Sequence, residues 1–290
     1  MNGSTTMANE NDLLASLIHK IKNDSLILPT LPEVALQVRS ATEKDEIALD
    51  ELADIIRQDP ALAARVIRMA NTAHYRRVAA VDSIQGALGR IGTRQIRSMV
   101  TAAAMQQLFI CSHPIIEDVM MTEWEESVSV SSAACLLLGS YLARGGANPR
   151  QLTVDGAQLA GLIHNIGVLP ILAEAEQMPD AVTSPYLLKK VLNRLAQPLG
   201  LNILRSWGFN EDLLKVVRHW KDPDYQAPEP DYATFVRLGA LSCGLLQRYG
   251  VDTDALIKEA LAKGLIPSAD YFEDPAFTEP LAELKEAFDL

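Results

Sequence analysis

Residues 49–71 read Leu-Asp-Glu-Leu-Ala-Asp-Ile-Ile-Arg-Gln-Asp-Pro-Ala-Leu-Ala-Ala-Arg-Val-Ile-Arg-Met-Ala-Asn, and their pattern decides the fold class. Leu49, Leu52, Ile55 and Ile56 recur at steps of three and four, the spacing of one helix face. Asp59-Pro60 interrupts that run and restarts it. Aspartate is a favoured N-cap, and the fixed φ and missing N–H of proline suit the first helical position. Leu62, Val66 and Met69 then give a second helix its buried stripe.

The same periodicity extends outward in both directions. Leu13, Leu14, Leu17, Ile18 and Ile21 predict a helix upstream. Asp82 with Gln85 three residues on resembles a capping box opening a helix through Leu88. Ile96, Met99, Val100 and Ala103 predict a helix ending before Pro114. Further helices are expected over 116–143, closed by Gly145-Gly146, and over Leu152–His164, closed by Asn165 and Gly167 as a left-handed stop. Others follow near 185–206, 211–220, 231–249 and 253–263, with a proline-rich surface loop at Asp222–Asp231. No long β-branched alternation and no repeat of solenoid length occurs, so the fold class is all-α.

Composition narrows the function classes. The 290 residues suit one large domain or two units. A hydrophobic content of 48% provides for a sizeable core. The net charge of −11 excludes a generally basic nucleic-acid surface. Three scattered cysteines, Cys111, Cys135 and Cys243, exclude a secreted disulfide scaffold and suit a reducing compartment. The polar N-terminus has no export signal. The uncharged runs 98–116 and 127–143 carry too many polar residues for membrane spans and read as core helices. A cytoplasmic protein with no membrane or nucleic-acid partner is expected.

Charge is divided unevenly along the chain. Residues 1–110 carry 12 basic and 12 acidic side chains, so the whole excess of acid lies beyond them. Pro114 is the natural boundary between lobes. Arg65, Arg68, Arg76, Arg77, Arg90, Arg94 and Arg97 form a basic segment opposed only by Asp82. Guanidinium suits bidentate pairing with carboxylate or phosphate. The segment is either a solvated surface pairing with the acidic lobe or a docking face for an acidic protein or a nucleotide.

No local motif names a catalyst. The five histidines show no His-Glu-x-x-His pattern, and there is no paired Cys-x-x-Cys, no Gly-x-Ser-x-Gly elbow and no phosphate loop. His164 reads by itself as a hydrogen-bonded histidine at a core helix end. Trp124, Trp207 and Trp220 sit at the edges of apolar patterns and read as core, with stacking on a flat ligand as the alternative for Trp220.

Several segments taken in order resemble the HDOD family, helical signalling domains related to the HD metal-dependent phosphohydrolases. They begin with Leu28-Pro29-Thr30-Leu31-Pro32-Glu33, Asp59-Pro60-Ala61-Leu62, Met69-Ala70-Asn71-Thr72-Ala73 and Ala87-Leu88-Gly89-Arg90-Ile91-Gly92. Trp124-Glu125-Glu126-Ser127, Gly161-Leu162-Ile163-His164-Asn165-Ile166-Gly167, Trp207-Gly208-Phe209 and His219-Trp220 complete them. The resemblance covers roughly residues 26–250. It implies a multi-helical HD-like fold with a smaller N-terminal helical lobe packed on an HD-like lobe. The expected organisation is a tail and helix at 1–25, the N-terminal lobe at 26–113, a degenerate HD-like lobe at 114–250 and an acidic extension at 251–290. Tyr271, Phe272, Phe277, Leu281, Leu284 and Phe288 in that extension are spaced to pack back on the body.

In active HD enzymes a histidine, a His-Asp dipeptide and a later aspartate hold metal that activates water against a phosphate ester. The resemblance places those positions on Glu126, on His164-Asn165, on Ala196, on His219-Trp220 and near Ala240. The key aspartate is therefore a neutral amide. Glu126, His164 and His219 are the only surviving ligand types, with one formal charge to offset a dication. The expectation is a catalytically silent regulator with no cofactor, meeting a signalling protein in trans. The alternatives are a divergent phosphohydrolase using Glu126, His164 and His219, and a nucleotide sensor using the same cleft.

Overall fold

Helix starts in this chain are written in its capping residues. The computed structural model of the protein describes residues 3–42, 48–72, 80–182, 184–286 and 288, and the side chains of 3–11, 93–95 and 106 are not among those described. Asp59 accepts from the Leu62 amide at 3.0 Å and opens α4. Thr153, Ser184, Asn210 and Asp252 cap in the same way, and Asp231 forms a full capping box with Thr234. The box expected at Asp82 is not used. Ser83, one residue later, accepts from Gly86 instead.

Among the described residues the architecture is helical without a strand. The N-terminal helices are α1 (Gly3–Lys22), α2 (Glu33–Thr42), α3 (Leu49–Arg57), α4 (Pro60–Asn71), α5 (Ile84–Ile91) and α6 (Thr93–Met105). Next come α7 (Pro114–Ala143), α8 (Val154–Ile163), α9 (Val168–Glu176), α10 (Pro185–Ser206), α11 (Glu211–His219) and α12 (Tyr232–Ser242). Two more, α13 (Thr253–Ala262) and α14 (Pro275–Glu286), complete the chain. The long helix α7 is the axis, packed by α8, α9, α10, α12 and α14. Helices α2 to α6 form their own group, and α6 joins it to the rest through α8. Helix α1 crosses to the other group and lies on α9 and α10.

The expected helix over 231–249 is shorter than its apolar pattern. It ends at Ser242 because Gly244 takes a left-handed conformation, φ +70°. The Leu245 amide then donates to the Ala240 carbonyl and the Gly244 amide to the Leu241 carbonyl, both at 2.9 Å. This is a Schellman stop, which satisfies carbonyls the helix leaves open. The acidic extension packs back on the body. Phe277 and Phe288 are buried, α14 lies along α7, and the Phe288 ring meets Trp124 edge-on at 6.3 Å.

Two stretches, Pro114–Ala143 and Val154–Glu176, are long and apolar enough to cross a membrane by composition. In the fold they are mostly buried, which is the position of core helices.

Three glycines set how closely the central helices approach. A Cβ at Gly161 would lie 2.3 Å from the Ser131 Cα, so α8 touches α7 backbone to backbone. The Ser131 hydroxyl donates to the Gln158 carbonyl at 2.6 Å across that contact. At Gly239 a Cβ would lie 2.8 Å from the Val130 carbonyl oxygen. The third, Gly167, shapes the site below. Neither Gly161 nor Gly239 has a flexible neighbour able to yield. Gly161→Ala is therefore expected to cost about 2–4 kcal/mol. Gly89→Ala, at an exposed helical position with nothing within 4 Å, should stabilise by about 0.5–1 kcal/mol. Urea unfolding of the pair checks both, and equal midpoints would show that the α7–α8 contact is slack.

Candidate functional site

The turn between α8 and α9 presents His164 and Asn165. It is not the left-handed stop expected from its asparagine and glycine. His164 and Gly167 both keep right-handed helical angles, and the Val168 amide donates to the Asn165 carbonyl at 3.1 Å. Gly167 is required for space instead. A Cβ there would lie 1.8 Å from the Ala196 carbonyl oxygen and 2.5 Å from the Gly200 nitrogen. The turn therefore rests directly on the backbone of α10.

That packing fixes His164. Its ring is buried, and Nδ1 lies 2.6 Å from the Gly161 carbonyl. A carbonyl only accepts, so the proton sits on Nδ1. Burial lowers the pKa to about 4, against the hydrogen bond, and the Lys221 charge lowers it further. His164 is a neutral imidazole at ordinary pH. The Trp220 indole stands edge-on to it at 4.6 Å, and Tyr249 meets the far side of that indole at 5.1 Å. Trp220 is core and closes the space beside the histidine.

Asn165 turns to α7. Its amide donates to Glu123 Oε2 at 2.7 Å. Glu123 sits three residues before Glu126, so both carboxylates share one face of the helix. Burial raises the Glu123 pKa to about 7, and the Glu126 charge raises it further, while the Asn165 amide, Lys189 and Arg248 oppose the shift. Glu126 is held by Arg248 at 2.7 Å. Lys221 lies 4.8 Å from the Tyr249 ring, and its pKa is lowered by burial and supported by Glu123. The cluster is thus two carboxyl groups, one neutral imidazole and the cations Lys189, Lys221 and Arg248.

His219 belongs to a different network. Its Nδ1 lies 3.0 Å from Asp222 Oδ2, and its ring stacks on Tyr225 at 4.5 Å. The buried Arg237 guanidinium donates to the carbonyls of His219 and Asp222, closing the end of α11. Ala196 and Ala240 are buried apolar positions. Glu126, His164 and His219 therefore each hold a separate partner. Among the described residues no three His, Cys, Asp or Glu side chains gather as a metal-binding group. The residues present do not fit a dication. Three nearby cations would repel it, and the amide of Asn165 donates its hydrogen where a ligand would offer a lone pair.

The arginine-rich segment is not a single face. Arg65 is buried, donating to the Ala103 carbonyl at 2.6 Å, a use its position on the α4 core stripe requires. Arg90 is half-buried and donates to Ala70 and Asn71. Arg68 and Arg97 are exposed. Arg76 and Arg77, and the side chain of Arg94, lie outside the described residues. Glu123, Lys221 and Arg248 were not singled out from the sequence. The Glu123–Glu126 spacing was the available signal, while Arg248 reaches the site only through the fold.

The HDOD domain family matches residues 28–223. The fold is similar to that of a Shewanella amazonensis SB2B protein, 37% identical, covering 97% of this chain and 100% of that one, with a TM-score of 0.89. Its name places it provisionally among metal-dependent phosphohydrolases. An HDOD domain protein of unknown function from Geobacter sulfurreducens is 19% identical, covers 98% of this chain and 100% of its own, and has a TM-score of 0.59. An uncharacterized protein of Treponema pallidum (strain Nichols) is 20% identical over 215 residues. That match takes in 71% of this chain and 39% of the other, so the chain spans well under half the length of that relative.

The raised Glu123 pKa carries a pH signature. Between its ordinary value of 4.5 and about 7 the folded state holds a proton that the unfolded chain releases. This contribution to stability falls as pH rises through that window. The lowered His164 pKa acts oppositely below its ordinary 6.5, but equally in parent and variant. Glu123→Gln should gain stability over the parent as pH rises from about 5 to 8, reaching about 1–3 kcal/mol. Urea midpoints at each pH measure the difference, and a flat one would show an ordinary carboxyl.

Proposed function

The chain belongs to the HDOD family, and from that membership we propose that it is a non-catalytic signalling regulator that acts by binding a protein partner in trans. One observation supports this reading above others: the second residue of the His-Asp position is Asn165, and its amide is spent on Glu123. A hydrolytic HD centre needs anionic oxygen ligands and a bound cation that turns water into a nucleophile. Here the anionic groups are matched by Lys189, Lys221 and Arg248. The arrangement stands as a filled support for the α8–α9 turn, in which cations outnumber carboxylates.

The partner would meet an exposed charged surface in the cytoplasm. Arg97, exposed on α6, suits an acidic partner, and such association weakens with added salt. A nucleotide in the remnant cleft is the less favoured ligand, since Trp220 and Tyr249 occupy the space next to His164.

The second reading is a divergent metal-dependent phosphohydrolase, which the name of the 37% identical relative favours. Two measurements separate them. Protein purified without chelators is expected to carry no stoichiometric iron, manganese or zinc. With each metal added, hydrolysis of bis(p-nitrophenyl) phosphate should equal that of the His164→Ala variant. Stoichiometric metal together with turnover abolished by His164→Ala would establish the enzyme instead.

A further inference from the structure

The end of α8 away from His164 opens onto a different feature. Helix α8 has ten residues, so its two ends are separated by about 15 Å. Near Thr153, at its start, lies a cavity of about 360 Å³ between the N-terminal helices and the HD-like helices. Arg39 and Arg97 line it from the first group, and Thr153, Phe209 and Tyr232 from the second. Among the described residues no acidic side chain lines it.

The two arginines are presented differently. Arg39 is half-buried, anchored by Nη1 to the Trp207 carbonyl at 2.7 Å, with its guanidinium 4.8 Å over the Phe209 ring. Arg97 is exposed, and among the described residues no carboxylate lies within ion-pair distance of it. The Tyr232 hydroxyl accepts from the Thr153 amide at 3.1 Å, so its own hydrogen has only a long contact of 3.5 Å to Thr153 Oγ1. Two guanidinium groups, a hydroxyl donor and an aromatic wall match a dianion carried on an organic body. Paired arginines recognise phosphate through bidentate hydrogen bonds, and the volume is that of a small-ligand site.

We propose that this inter-lobe cavity binds a phosphorylated small molecule of about nucleoside-monophosphate size, its phosphate held by Arg39 and Arg97. The ligand would join the two helix groups, since each supplies one side of the cavity. The site is separate from the His164 cluster and does not depend on whether that cluster is silent.

Calorimetric titration of the full chain with AMP tests the proposal, with adenosine, inorganic phosphate and the Arg97→Ala variant as comparisons. AMP should saturate a single site. Adenosine, and AMP on Arg97→Ala, should each bind about tenfold or more weakly, the loss of one charge-assisted contact. Arg97 is exposed, so the variant should keep the parental melting temperature, and Arg39→Lys provides a second reading of the same contact. No saturable AMP binding up to about 5 mM, or binding indifferent to both substitutions, overturns the site. Adenosine binding as tightly as AMP overturns the role of the phosphate. Inorganic phosphate binding as tightly as AMP overturns the assignment of an organic ligand.

Discussion

Direct backbone contact between helices is the constraint on which the rest depends. The turn after α8 can carry His164 and Asn165 where it does only because Gly167 lets it touch the Ala196 carbonyl. One turn earlier, Gly161 lets α8 lie against Ser131 of α7. Side chains at either place would force the helices apart by the width of a methyl group or more, and interiors at close-packed density have no slack to absorb that. The hydrogen bonds of the site follow from the approach. Asn165 reaches Glu123 across the α7–α8 contact, and Trp220 is pressed edge-on to His164.

Electrostatics then explains how such a turn is sustained around two carboxyl groups. A pair of acids on one helix face in a half-buried cleft is unfavourable by repulsion and by desolvation. A dication would relieve both. This chain relieves them with Arg248 on Glu126, with Lys189 and Lys221 nearby, and with partial protonation of Glu123 near neutral pH. The imidazole, neutral and buried, adds no charge. The same local problem is met by the protein's own cations, and the hydrogen bonds that result tie α7 to the turn through Asn165 and to the segment after α12 through Arg248.

The helices were legible because their signals are local. Asp59-Pro60, the Gly145 stop and the period of apolar residues act within one or two turns of chain, and each element they predict is present. Where local signals competed, the sequence was ambiguous. Asp82 and Ser83 are both good caps, and only packing chose the second. The apolar pattern through 249 masked the stop at Gly244. Asn165 and Gly167 looked like a left-handed stop, yet that glycine answers to α10, far away in sequence. The site was legible at the positions carried by family spacing. Arg248, Lys221 and the burial of Arg65 were not, because each depends on contacts across more than twenty residues.

Two ends of one helix thus carry opposite chemistry. At its C-terminus α8 meets a cluster in which Arg248 pairs with Glu126, Asn165 with Glu123, and Trp220 fills the space beside His164. At its N-terminus it meets an open cavity whose charges are cationic and whose walls come from two helix groups. In that cluster Asn165, Glu123, Glu126 and His164 each hold a protein partner, and such mutual hydrogen bonding favours rigidity. An open seam is where a bound molecule can alter how two groups of helices meet, because binding to one arrangement in preference to another shifts the balance between them. Among the described residues the polar ties along that seam include Arg39 to the Trp207 carbonyl, the Trp207 indole to the Pro29 carbonyl at 3.0 Å, Lys20 and Ser16 to Glu174, and Ser112 to Glu176. Arg39 belongs both to these ties and to the cavity wall. An anion at the proposed cavity site would therefore act on a side chain that already joins the two helix groups.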